Sequence, residues 1–199
     1  MTTLQDIEKI DQIIFTQKRE FKASERLRPG SLISVKQGKK FFSVLFLHTD
    51  SGTTKSDFDN RKKIWTKVFA LHRAIKKSAP LLVLGDLNTM GWAEGKGKKA
   101  VVKVSEAQEI QQLKAAALKQ SMTVLAKQHD QTFSDGSFVS DLDHLLATNT
   151  FKFKALGKRA DAQPNAVRVV GWNDLKTAKD RAQYRSQYSD YSLLYAATK

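Results

Sequence analysis

The stretch that most constrains this chain is LLVLGDLNTMG, residues 81–91. Leu81 to Leu84 run into Gly85 and Asp86, then Leu87 and Asn88, and there the apolar run stops. A short apolar run bounded by turn residues reads as a strand buried within a sheet. Polar side chains at the carboxyl end of such a strand stand at the sheet rim, where α/β sheets bind ligands. In an extended chain, residues two apart point to the same side. Asp86 and Asn88 could then address one phosphate or one metal-bound water. The same two residue types also suit a strand-to-loop turn.

The flanking sequence supplies a sheet for that strand. SLISV, KQGKK and FFSVLFLHT read as strand, tight turn at Gly38, and strand. The second of these is apolar on both faces through Phe42, Val44, Leu45, Phe46 and Leu47, which predicts a central position. DSGTTKSDFDN reads as a polar loop. RKKIWTKVFALHRAIKK then places Ile64, Trp65, Val68, Phe69, Leu71 and Ile75 at helical spacing. Strand, helix and adjacent strand predict a sheet covered by a helix.

Downstream, WAEGKGKKAVVK reads as a basic loop. SEAQEIQQLKAAALKQSMTVLAK reads as one long helix, with Ser105 as N-cap and a stripe of Ile110, Leu113, Leu118, Met122 and Leu125. A short strand follows over 142–147, then FKFKAL as an edge strand, a further strand over 167–170 within polar loop, and a last strand in YSDYSLLYAAT. At the other end, DIEKIDQIIF starts helix-like and turns strand-like over 12–21. No internal repeat or linker divides the chain, so one domain over 1–199 is expected.

Composition narrows the partner. The 199 residues carry 34 Lys and Arg against 20 Asp and Glu, a net charge of +14. Such an excess attracts polyanions, and nucleic-acid backbones are the commonest. With no cysteine, disulfides and thiolate metal sites are excluded. Oxygen ligands would favour a hard cation such as Mg²⁺. No apolar run approaches the roughly 18 residues of a membrane helix. The N-terminus lacks a signal-peptide layout, so the cytoplasm is the default compartment.

Other strand ends repeat the theme of LLVLGD. FLHTDSG offers His48, SDLDHLLAT offers Asp143, and QYSDYSLLYAAT offers Asp190. In order along the chain, H-x-x-S-G (His48 to Gly52), GDLN (Gly85 to Asn88), S-D-L-D-H (Ser140 to His144) and Y-S-D-Y (Tyr188 to Tyr191) resemble the endonuclease/exonuclease/phosphatase superfamily. That superfamily includes DNase I-like nucleases, abasic-site endonucleases, sphingomyelinases and inositol phosphatases. The resemblance implies an α/β fold of two packed β-sheets flanked by helices, a four-layer sandwich. It implies hydrolysis of a phosphodiester assisted by Mg²⁺ or Mn²⁺. Asp86 would orient or deprotonate the attacking water, Asn88 would hold the scissile phosphate, and His48 would stabilise developing charge. Asp190 matches the aspartate of the terminal Ser-Asp-His motif, near the metal and the base. Asp143 matches a support or metal-side residue.

The pattern departs from the family at two places. The terminal histidine, the general base, is replaced by Tyr191, and a phenol of pKa about 10 is a poor base at neutral pH. The opening motifs, a strand ending in Asn and another ending in Gln-Glu, are missing; LQDI offers only Asp6 where the glutamate would stand. The expectation is an N-terminally incomplete domain, from a truncated or degenerate member, whose open sheet edges are covered by a second copy or an adapted segment. Trp92 could stack on a base or pack, and Lys96, Lys98 and Lys99 could meet phosphates. The competing functional reading is a non-catalytic nucleic-acid-binding module with a retained phosphate groove. A weaker one is a lipid phosphodiesterase, for which the sequence shows no convincing exposed aromatic hairpin.

Overall fold

Leu81–Asp86 is a strand in the computed structural model, which describes residues 7–13, 27–37, 40–75, 79–94, 101–157 and 165–199. In chain order the elements are β1 (Ile7–Ile13), β2 (Gly30–Gln37), β3 (Lys40–His48), α1 (Lys55–Ile75), β4 (Leu81–Asp86), β5 (Trp92–Glu94), β6 (Val101–Lys103) and α2 (Glu106–Leu118). There follow β7 (Met122–Val124), β8 (Phe133–Ser134), β9 (Val139–Ser140), β10 (Asp143–Thr148), β11 (Val167–Val170), a 3₁₀ turn (Trp172–Asp174), α3 (Ala178–Gln187) and β12 (Leu193–Ala196).

The main sheet has the order β1-β2-β3-β4-β10-β7. β3 and β4 run parallel with α1 as their crossover, and their register pairs His48 with Asp86. β10 returns antiparallel and sets Asp143 beside Asp86 on the other side. The three sequence signals that read as separate strand endings, His48, Asp86 and Asp143, are therefore neighbours on one rim, with Asp143 at the start of antiparallel β10 rather than at a carboxyl end.

The central placement of β3 holds. Ser43, Leu45 and Leu47 are buried on the helix side. There Leu45, Leu81, Val83 and Leu146 meet Ile64 and Val68 of α1 and Leu113 and Ala117 of α2. On the opposite face Phe42 meets Phe151 edge-on at 5.6 Å, whereas Phe46 is exposed. A second sheet, β11 paired with β12, is tied to the first beside β7 by a bridge between Lys127 and Val167. Its Val167 and Val169 are fully buried. The α/β class expected from the sequence is the observed one.

Gly85 explains the glycine of GDLN. Its φ is +135°, and a Cβ there would collide with the Leu47 carbonyl oxygen. A side chain at this position would hold β3 and β4 apart just where both deliver their polar ends.

Several expectations are corrected. The helix-like start is, from Ile7 on, strand β1 (Ile7–Ile13). The polar loop before α1 is its first turns, which begin at Lys55. The long helix after Ser105 ends at Leu118, which is exposed, and Met122 belongs to β7. FKFKAL makes one isolated bridge, Phe153 to Thr198, rather than a strand. Helix α3 stands where the sequence predicts polar loop. The strand over 167–170 and the last strand are found as β11 and β12. Asp6, the turn at Gly38 and most of the span 12–21 lie outside the described residues.

Candidate active site

Asp86 is the centre of the site, and its side chain is 12% exposed. The Tyr191 hydroxyl, arriving just before β12, donates to Asp86 Oδ2 at 3.0 Å. His48 Nε2 lies 3.6 Å from the same oxygen. On the inner side stands Asp143, whose Oδ2 is buried with no partner among the described residues. Burial first, and the charge of Asp86 next among the raising influences, push the Asp143 carboxyl up to about 6.

The Asp86–Asn88 segment is not extended. Asp86 Oδ1 accepts the Asn88 backbone N–H at 3.0 Å, an Asx turn, and Asn88 has φ +44°. The turn reading of the two residues therefore describes their backbone. Asn88 is buried, and its Nδ2 donates to the Thr49 carbonyl at 3.0 Å. With Thr49 N donating to Asp86 O at 2.9 Å, this ties together the loops that follow β3 and β4.

Sequence reasoning missed Arg28. Its Nη1 lies 2.6 Å from His48 Nε2, its Nη2 donates to Ser51 Oγ at 3.4 Å, and its Nε is 3.6 Å from Asp50 Oδ1. A guanidinium cannot accept, so Nε2 must be the acceptor and His48 is the neutral tautomer protonated on Nδ1. That tautomer is incompatible with an ion pair between His48 and Asp86. The shorter Arg28 contact describes the arrangement. A signal was available: the β2–β3 register aligns Ser31 with Phe46, so the residues before β2 fall level with the end of β3.

Arg28, His48 and Ser51 thus form an open, donor-rich rim beside a carboxylate pair. The Tyr191 ring packs on Phe133 at 5.0 Å, and Phe133 meets Phe138 at 6.5 Å. The Tyr191 hydroxyl is raised above its ordinary pKa by burial and then by Asp86, with Asp143 and Asp190 adding to it. It is a hydrogen-bond donor here, not a base.

The remaining residues singled out from sequence are less gathered. Asp190 is exposed, and its backbone carbonyl accepts from Ser134 N at 2.9 Å; the neighbouring Tyr191, not Asp190, reaches Asp86. Trp92 is half-buried in β5, and its Nε1 has no partner among the described residues. Lys96, Lys98 and Lys99 lie outside the described residues. His144 is buried against Thr89 Oγ1 at 3.0 Å, and burial holds it well below the ordinary imidazole value, so it is a neutral core group.

The site offers oxygen donors for the divalent metal that the family resemblance implies. Among the described residues no group of three or more His, Asp or Glu is placed to hold a metal. Mg²⁺, however, is commonly held by one or two carboxylates together with waters and substrate phosphate oxygens. Asp86 and Asp143, adjacent and all-oxygen, with one oxygen of Asp143 unpartnered, fit that kind of site.

A parallel β-α-β unit inside a mixed sheet, with a second small sheet beside it, is a DNase I-like fold. Solved structures carry the same fold. D. rerio TDP2 complexed with a single-strand DNA product superposes with a TM-score of 0.58 at 14% identity, covering 98% of this chain and 68% of that one. An endonuclease/exonuclease/phosphatase family protein from Leptotrichia buccalis gives 0.54 at 15% identity, covering 97% and 61%. An endonuclease/exonuclease/phosphatase from Bacteroides vulgatus gives 0.57 at 13% identity, covering 97% and 65%. The chain thus spans 61% to 68% of the length of these structures. No protein-family model and no curated protein matches the sequence.

Proposed function

We propose that this chain is a nuclease-like phosphodiesterase acting on nucleic acid with Mg²⁺ or Mn²⁺. The observation that carries the reading is the meeting of Asp86, Asp143, His48 and Arg28 at the rim of a fold shared with TDP2 and the endonuclease/exonuclease/phosphatase proteins. Arg28, His48 and Ser51 bind the phosphate: the guanidinium, the imidazole N–H and the hydroxyl donate to its oxygens. Asp86 orients the attacking water, and Tyr191 holds Asp86 in one rotamer. Asn88 keeps the two loops in register. Asp143 and Asp86 would provide oxygen ligands. A bound divalent cation would neutralise phosphate charge and lower the pKa of water. Trp92, Lys96, Lys98 and Lys99 are proposed as further contacts to nucleic acid.

The test is nicking of plasmid in Mg²⁺ or Mn²⁺ by the chain and by Asp86→Ala. Cleavage by the first and not the second supports the reading. A second reading, a nucleic-acid-binding module, is favoured by one observation: the Tyr191 hydroxyl occupies Asp86 where a base would be needed. It predicts salt-sensitive oligonucleotide binding that survives both EDTA and Asp86→Ala, without cleavage.

A further inference from the structure

Beneath the rim lies a buried ion pair that neither half of the reading uses. Arg61 of α1 is 1% exposed and Glu109 of α2 is 8% exposed. Arg61 Nε donates to Glu109 Oε1 at 3.0 Å and Nη2 to Oε2 at 3.4 Å, a two-pronged pairing. Each partner then reaches one of the site loops. Arg61 Nη1 donates to the carbonyls of Asp50 at 3.2 Å and Gly52 at 3.1 Å, on either side of Ser51. Glu109 Oε2 accepts the backbone N–H of Gly91 at 2.7 Å and of Trp92 at 2.8 Å, at the end of the loop that begins with Asp86.

A buried ion pair is a poor source of stability, because desolvation offsets most of its attraction. Its distinctive property here is connection. Backbone groups of loops that are buried must be satisfied, and these four are satisfied from one guanidinium and one carboxylate. The planar fork admits one relative orientation of donor and acceptor. The loop with His48 and Ser51 is thereby fixed against the loop with Asp86 and Asn88 from below. At the rim the Asn88–Thr49 bond is a separate tie.

We infer that Arg61 and Glu109 are positioning residues of the site. They form a clamp that couples the two loops and sets the spacing between the phosphate-binding rim and Asp86. The inference rests on the reading of that rim as a phosphate site. Neither residue touches the phosphate; both act through the loops.

The test uses the full chain, inorganic phosphate as the probe, and amide NMR. Glu109→Gln is expected to shift the amide signals of Ser51 and Thr53, which share peptide planes with the Asp50 and Gly52 carbonyls that accept from residue 61. Arg61→Lys, which keeps the charge and loses the fork, is expected to shift those of Gly91 and Trp92, which contact residue 109 and not 61. Arg61→Met/Glu109→Met replaces the pair by apolar groups. It should keep the near-UV spectrum while phosphate affinity falls about 10-fold, the scale of one lost charge-assisted contact. If the single variants perturb only their own loops, or if the folded double variant binds phosphate as the parent does, the clamp is overturned. Should the double variant not fold, the two single variants decide. Should the parent bind no phosphate, the functional reading fails, and the amide shifts across the pair still decide the coupling.

Discussion

Tyr191 donates to Asp86 Oδ2 at 3.0 Å, and burial together with three nearby carboxylates, Asp86, Asp143 and Asp190, raises its pKa. A group held in that protonated state cannot take a proton from water at neutral pH. An imidazole in its place, with an unperturbed pKa of about 6.5, could. Tyr191→His is therefore expected to raise the plasmid-nicking rate in Mg²⁺ at pH 7.5 by about 10²-fold, the lower end of general-base contributions. Equal rates for the two chains would mean that a missing base is not what limits the reaction. Asp143 permits a second residue-level prediction, independent of activity. Its carboxyl is raised to about 6 in the fold, chiefly by burial, against about 3.9 in the unfolded chain. The native state then binds more protons between those values, so this group's contribution to stability falls as pH rises from about 4 to about 6. Asp143→Asn removes the penalty. In EDTA, urea midpoints of variant and parent should coincide near pH 4. Above pH 6.5 the variant should be more stable by on the order of 2 kcal/mol. Of the site itself, His48, Asp86 and Asp143 could be found in the sequence because strand ends announce rim positions. Arg28 could not be found by motif, because its approach to His48 depends on the β2–β3 register.

Helix α2 opens with a capping box: Ser105 accepts from Gln108 N, and the Gln108 side chain accepts from Ser105 N. Two of the orphan donors of the first turn are thus satisfied locally. Ser105→Ala should cost about 1 kcal/mol, read as a lowered urea midpoint with an unchanged slope. An effect below a few tenths would show that Glu109, anchored in the same turn region, holds the helix start by itself. The cap and the apolar stripe were legible because both are local patterns. The end of the helix was not: Met122 and Leu125 continue the apolar stripe, but Ser121 has φ +57° and the next residues alternate buried and exposed as a strand. Helix α3 was illegible for the opposite reason. None of its residues is buried, so it has no apolar stripe to read, and only the Thr177 cap marks it. β1 was misjudged because IEKIDQI mixes strand and helix periods, and pairing with β2 decides between them. Long-range pairing, rather than propensity, settles β1 and β7.

At the scale of the molecule, the two sheets end unequally. β12 pairs with β11 and with no other strand among the described residues, and its outward residues Leu193 and Tyr195 are 67% and 51% exposed. On the main sheet Phe46 is 41% exposed on the face away from α1 and α2. An edge strand with exposed apolar side chains is a template for pairing with another chain. The net charge of +14 opposes close approach of copies at low salt and is screened as salt rises. The expectation is therefore a self-association that strengthens with ionic strength, whereas nucleic-acid binding weakens with it. Sedimentation equilibrium of the full chain at about 50 and about 300 mM salt separates the two trends. Leu193→Lys puts a charge on the β12 edge at an exposed position, so the folding stability of the single chain should change by less than about 0.5 kcal/mol. If this variant associates as the parent does, β12 is not the contact, and the exposed face around Phe46 becomes the one to charge next. If the parent is a monomer at every concentration and salt, the unpaired edge is tolerated even with the charge screened, and the expectation fails.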